Sequence, residues 1–132
     1  MILRGMGSRC LISLKEGTTK AVCWLSLDQD CDFGPMFDKL QNDDKKKIAK
    51  RIQWVIEGKA TNNKENFRSL GDGIWEMKAG QIRLTYCHHR SIKDLIVLLH
   101  MFIKKNQKTP PEEIKRARKR RDIADTIDRL TE

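Results

Sequence analysis

No apolar run in this sequence approaches the ~18 residues that a membrane-spanning helix needs, so the chain is not expected to cross a membrane. The opening MILRGMGSRCLISL has one short apolar patch but neither a sustained apolar core nor a convincing cleavage site, so a signal peptide is not expected either. The four cysteines, Cys10, Cys23, Cys31 and Cys87, form no C-x-x-C pair and no regular framework. They read as reduced thiols of a cytoplasmic protein, with Cys23 and Cys87 acting as small hydrophobes inside strand-like runs. P-loop and dinucleotide glycine patterns are missing, and no serine sits in a G-x-S-x-G context. His88 and His89 are adjacent, so on a strand they diverge to opposite faces and cannot easily chelate one ion. No metal site and no cofactor is expected.

Apolar residues are also scarce, at 39%, while 34% are charged. A chain of 132 residues with this balance builds one domain around a modest core. The excess is basic: the formal net charge is +9. Such a protein meets something anionic, most commonly nucleic acid, although an acidic protein partner satisfies the same charge.

Cys10 to Leu14 and Ala21 to Leu27 read as a β-hairpin around KEGTTK, with residues 1–20 reading equally as a loose N-terminal extension. After the acidic loop DQDCDFGP, Pro35 suits the first turn of a short helix, MFDKLQ. A second helix is predicted from about Asp44 to Glu57, because Ile48, Ile52, Val55 and Ile56 fall on one face of a 3.6-residue period. Asp43 or Asp44 is its expected cap and Gly58 its stop. Its lysines and Arg51 read either as a solvated face or as phosphate contacts, and Trp54 as edge packing.

The stretch from Phe67 to Glu113 carries most of the information. It reads as strands over Phe67 to Leu70, Ile74 to Lys78, Gln81 to His88 and Asp94 to Lys104, separated by tight turns. Period-two alternation puts Ile82, Leu84 and Tyr86 on one face and Arg83 on the other. Burying Ile82 and Leu84 with Val97 and Leu99 under the helices leaves Arg83 and His100 on a second, open face. Thr109 and Glu112 form a capping box for a last helix reaching about Leu130. From Lys104 to Arg121 there are nine basic residues. Ile123, Ile127 and Leu130 make a weak apolar strip that docks on the domain or on a partner. The expected organisation is a single domain over 1–121 and a helical tail over 122–132.

A phosphodiester can be cleaved without metal if a 2′-hydroxyl is deprotonated, the phosphorane charge is stabilised and the leaving 5′-oxygen is protonated. Fixed guanidinium and ammonium groups supply the second requirement. The first and third need a group that exchanges protons. Arg83, Lys104, Lys105 and Lys108, with Tyr86 and His100 nearby, supply such a set. On physics alone the same residues serve equally well to hold a phosphate backbone without cutting it.

LGDGIWEMKAGQIRLTY followed by VLLHMFIKKNQKTPPEEIKRA resembles the phage-derived branch of the RelE/HigB toxin superfamily, whose pattern runs L-G-D-G-L-W-E-L, then I-R-x-x-Y, then L-L-H-x-F-x-K-K-x-Q-K-T-P and E-I. The resemblance spans roughly the last half of the chain up to Ala117, with three motifs in order. It implies an α+β fold: N-terminal helices packed on one face of a small twisted, mainly antiparallel sheet, with a basic C-terminal helix. It further implies a toxin of a type II toxin–antitoxin system that cuts mRNA on the ribosome without metal. The implied partners are the ribosome, mRNA and a cognate antitoxin, in this branch often a helix-turn-helix protein.

Carried onto these residues, the resemblance makes Arg83, Lys105 and His100 the catalytic candidates. Arg68, Lys104, Lys108 and Gln107 become the RNA-phosphate contacts. Gln107 and Thr109 hold the loop, and Trp75 and Glu76 are expected to be structural. Many RelE-type members carry a tyrosine, or a histidine–aspartate–tyrosine group, near the C-terminus. The region Ile114 to Arg121 has none, which leaves His100, Tyr86 and a lysine of the cluster as candidate bases. The alternative readings are a non-catalytic RNA- or DNA-binding module and a phage-associated interaction protein with an inactive toxin fold.

Overall fold

The structure is a computed structural model that describes residues 5–6, 11–14, 21–25, 27, 31–60, 62–105 and 108–127. Cys10, Gln107 and Leu130 lie outside the described residues. Strands β1 (Gly5–Met6), β2 (Leu11–Leu14) and β3 (Ala21–Leu25) precede helices α1 (Phe33–Asp38) and α2 (Asn42–Ile56). Four strands follow, β4 (Phe67–Gly71), β5 (Ile74–Ala79), β6 (Ile82–His88) and β7 (Leu95–Ile103), and α3 (Pro111–Asp125) ends the described chain.

The strands pair in the order β1-β3-β7-β6-β5-β4, with β2 also pairing β3. The β4–β5, β5–β6 and β6–β7 pairs are antiparallel, as is the expected hairpin β2–β3, whereas β3 runs parallel to β7. The α+β reading and the mainly antiparallel sheet therefore match the structure. The amphipathic face of α2 forms as its period predicts: Ile48, Ile52, Val55 and Ile56 are all buried. The helix begins earlier than expected, however, with Gln41 at the N-cap and no side-chain cap bond. Asp43 and Asp44 occupy the first turn instead, where negative charge suits the helix dipole. Gly58, with a φ of 74°, turns the chain out of α2 as expected.

The core is double. On one face of the sheet α1 and α2 cover Ile82, Leu84 and Tyr86 together with Ile96, Leu98 and Met101. On the other, α3 covers Cys87, Leu95, Val97 and Leu99 through its small residues Ala117 and Ala124. This corrects two expectations. Val97 and Leu99 do not share a face with Ile82 and Leu84, and the second face is not left open.

The first correction comes from a β-bulge. Thr85 pairs with His100 but Tyr86 pairs with Leu98, so Leu99 is an extra residue on β7. One extra residue reverses the alternation on either side of it. The second correction comes from α3, which lies across the sheet rather than trailing from it. The helix runs through Arg121 to Asp125 without a break, and Ile123 and Ile127 pack at the edge of this second core.

Arg120 pins α3 in place. Its side chain is buried, and Nη1 donates to Asp32 Oδ1 at 2.8 Å and to the Leu99 carbonyl at 2.9 Å, while Nη2 lies 2.9 Å from Cys31 Sγ. The ion pair therefore ties the last helix to the loop before α1 and to the bulged strand. Breaking a buried pair from one side leaves an uncompensated charge. Arg120→Ala should therefore cost about 3–5 kcal/mol in urea unfolding, and Arg120→Met clearly less. Arg118→Ala, which removes an exposed pair with Asp72, should change stability by no more than about 1 kcal/mol.

Candidate active site: a cationic groove at the open end of the sheet

The register of β4, β5 and β6 collects charged side chains on the face that α3 covers. Arg68 pairs with Glu76, and Lys78 pairs with Arg83. Alternation puts all four on the same side of the sheet, and Lys104 follows Phe102, the partner of Arg83, at the same parity. Because α3 starts only at Pro111, it covers Thr85, His100 and Cys87 but leaves this end of the sheet exposed. The result is a groove of about 560 Å³ in which Lys64, Arg68, Lys78, Arg83, Lys104 and Lys105 surround the acidic Glu65 and Glu76.

Arg83 is held rigidly. Its Nη1 donates to the Gly80 carbonyl at 2.7 Å and to the Ile82 carbonyl at 3.0 Å, and its Nε lies 3.8 Å from Glu76 Oε1. Burial pushes the guanidinium below its ordinary value, Glu76 pulls it back and Arg68 pushes it down again. Lys104 is 7% exposed, and its backbone N–H donates to the Gln81 carbonyl at the β5–β6 turn. Burial lowers its ammonium pKa first. Glu76 opposes that shift, and Arg83, Arg68 and Lys78 add to it. A lysine among cations releases its proton more readily than a solvated one.

The floor of the groove is the carboxylate of Glu76, 3% exposed. Thr109 Oγ1 donates to Glu76 Oε2 at 2.5 Å and accepts from Arg68 Nη2 at 2.9 Å. Arg68 Nη2 is also 3.6 Å from Glu76 Oε1. Thr109 is therefore not the cap of α3: Pro110 holds that position, with no side-chain cap bond. The threonine hydroxyl is occupied in the groove instead.

The candidates thus separate. Arg68, Arg83, Lys104 and Lys105 come together in the groove. Lys108 is exposed on the segment leading to α3, and Gln107 lies outside the described residues. His100 does not reach the groove. It is fully buried under α3, with Nδ1 2.6 Å from Thr85 Oγ1, its ring stacked on Phe102 and Nε2 3.5 Å from Glu113 Oε2. Tyr86 is buried in the opposite core, where loss of solvent raises its hydroxyl pKa. Glu76, expected to be structural, lies in the groove, and Lys78, to which the sequence assigned no role, lines it as well. The signal was available, since IWEMKA places a carboxylate at a buried position and Lys78 at the same parity.

Residues 35–122 match the family described as Phage derived protein Gp49-like (DUF891). The chain belongs to this family. No curated protein matches the sequence. The Gp49-like region begins at the first turn of α1 and ends inside α3, so it contains the whole groove and excludes β1, β2 and β3.

His100 carries a pH dependence of known sign. Burial, followed by Arg120 and Arg116, lowers its pKa to about 3 from an ordinary 6.5. The unfolded chain therefore binds a proton between those values that the folded chain refuses. The stability from neutral His100 is complete above about pH 6.5 and is lost as the pH falls toward 3. Glu113, on the facing helix, has its pKa raised by burial and acts in the opposite sense. Urea unfolding across pH 4–7 should show stability rising with pH, and His100→Gln should flatten that slope.

Proposed function

We propose that this Gp49-like protein is the toxin of a type II toxin–antitoxin system, a ribosome-dependent mRNA endoribonuclease that works without metal and arrests translation. The observation that carries the reading is the convergence of Arg68, Arg83 and Lys104, from three different strand segments, on one groove inside the matched region. The RelE/HigB-like motifs point the same way, because the I-R-x-x-Y arginine and the first two lysines of K-K-x-Q-K are the groove residues. Its partners are then the ribosome, mRNA and a cognate antitoxin, in this branch a helix-turn-helix protein encoded by a neighbouring gene.

In this mechanism the scissile phosphate sits over Arg83. The guanidinium, already anchored by two backbone carbonyls, meets the charge that grows on the phosphorane without reorganising. Arg68 and Lys105 hold the flanking backbone. Proton exchange falls to Lys104, since arginine stays protonated at any relevant pH and neither His100 nor Tyr86 reaches the groove. Deprotonated, Lys104 accepts the 2′-hydroxyl proton as the 2′-oxygen attacks phosphorus; the bond to the 5′-oxygen breaks, leaving a 2′,3′-cyclic phosphate, and the 5′-oxygen takes its proton from water.

Cleavage sites mapped in a translating extract test this. Arg83→Ala should lower the cutting rate by about 100-fold or more and relieve growth arrest. Lys104→Arg keeps the charge but cannot exchange the proton, so it should bind RNA and fail to cut. If the wild-type protein binds RNA with a steep salt dependence but leaves message intact, the non-catalytic binding module is the correct reading.

A further inference from the structure

A buried carboxylate is an adverse neighbour for a phosphate. Like charges repel, and in a largely desolvated site that repulsion is strong. Glu76 nevertheless stands in the floor of the groove, with one oxygen hydrogen-bonded and the other in ion-pair range of two arginines. Oε2 accepts the Thr109 hydroxyl at 2.5 Å, while Oε1 faces Arg68 Nη2 at 3.6 Å and Arg83 Nε at 3.8 Å. Thr109 in turn accepts from Arg68 Nη2 at 2.9 Å. Arginines on β4 and β6 thus share one carboxylate on the strand between them, and the segment entering α3 closes the arrangement from the other side.

A structural account of Glu76 alone does not require this geometry. A buried strand position opposite Thr85 would be filled more simply by an apolar residue, because burying a charge costs heavily unless it is paired. Thr109 would also cap α3 if the helix were its only business, yet its hydroxyl turns to Glu76 and Arg68. Both departures serve one end. The long, rotamer-rich side chain of Arg68 is held to the anion that Arg83 also faces before any RNA arrives.

We infer that Glu76 and Thr109 are a positioning pair that fixes the Arg68 guanidinium at a set spacing from the backbone-anchored Arg83, so that Arg83 meets the scissile phosphate while Arg68 holds the backbone beside it. The pair does not touch the RNA itself. This inference rests on the ribonuclease reading above. It separates binding from turnover in an unusual direction. Glu76→Gln preserves shape and removes a negative charge from the phosphate site, so RNA binding holds or tightens while Arg68 loses its anchor and cutting slows.

The experiment uses the full chain in three measurements: affinity for an uncleavable 2′-O-methyl RNA oligonucleotide, single-turnover cleavage in a translating extract, and the order of the arginine Nε–Hε groups by NMR. Glu76→Gln should bind the oligonucleotide at least as tightly as wild type and cut roughly 100-fold more slowly, the loss expected of a misplaced catalytic group. Thr109→Val should shift both measurements in the same direction by less, and Thr109→Ser, which restores the hydroxyl, should behave like wild type. If Glu76→Gln fails to fold, Thr109→Val against Thr109→Ser carries the comparison. Wild-type cleavage rates in Glu76→Gln and Thr109→Val overturn the inference, as does a loss of cleavage matched by an equal loss of binding. A wild-type protein that never cuts RNA overturns the ribonuclease reading instead. The NMR measurement then decides this inference: Arg68 loosening in both variants supports it, and unchanged order overturns it.

Discussion

Strand β7 has to serve two cores at once, and the rest of the fold follows from how it does so. Eight of its nine residues are buried. A strand with strict alternation divides its side chains evenly between two faces, so both faces must find apolar cover. The extra residue at Leu99 changes that division. Before it, Ile96 and Leu98 pack under α1 and α2, and Leu95 and Val97 under α3. At the bulge, Leu99 and His100 both lie on the α3 side, and Met101 returns to the first core. The bulge also gives the Leu99 carbonyl to Arg120, which sets the height of α3 over the sheet.

That placement decides where chemistry is available. The covering helix approaches closely because its inward residues are Ala117 and Ala124, and it begins at Pro111, beyond the ends of β5 and β6 nearest the β5–β6 turn. On this face the uncovered end is mostly charged, with Phe102 beside Arg83 as an apolar exception. It holds Arg68, Lys78, Arg83 and Lys104, whose mutual repulsion is offset by Glu76 beneath them. The lowered pKa values of Arg83 and Lys104 record this competition, since in each case the carboxylate opposes both burial and the neighbouring cations. The groove is thus electrostatically loaded toward an anion and held open by its own counter-ion.

Much of this was legible in the sequence, and the failures have identifiable causes. The face of α2, the strands from Phe67 onward and the identity of Arg83 and Lys104 as groove residues follow from periodicity, turn chemistry and motif resemblance. Those are local signals. The bulge has no local signal in DLIVLLHMFIK, because a uniformly apolar strand does not reveal which residue is extra. The burial of His100 depends on α3 docking above it, a tertiary event that the charge of KRARKRR conceals. Arg120 looks like one more surface cation until Asp32 is found beside it. Thr109 obeys the capping-box pattern and still does something else: its oxygen accepts from the Arg68 guanidinium instead of a helix N–H, while its hydroxyl donates to the Glu76 carboxylate.

The identity of the proton-exchanging group is where these constraints converge. Histidine is the usual choice near neutral pH, yet the one on β7 is sealed behind α3 and held neutral first by burial and then by two arginines. Glu76 is near the right place, but one of its oxygens accepts the Thr109 hydroxyl and the other faces the two arginines. Arginine does not release its proton. Lys104 is left, on a flexible stem at the end of the strand, in surroundings that favour loss of its proton while the groove is empty. In the proposed reaction, negative charge building on the phosphorane beside it would favour the ammonium form again. On that proposal a single lysine accepts the proton early and stabilises the charge late, and the reaction would need no tyrosine or histidine in the first turns of α3.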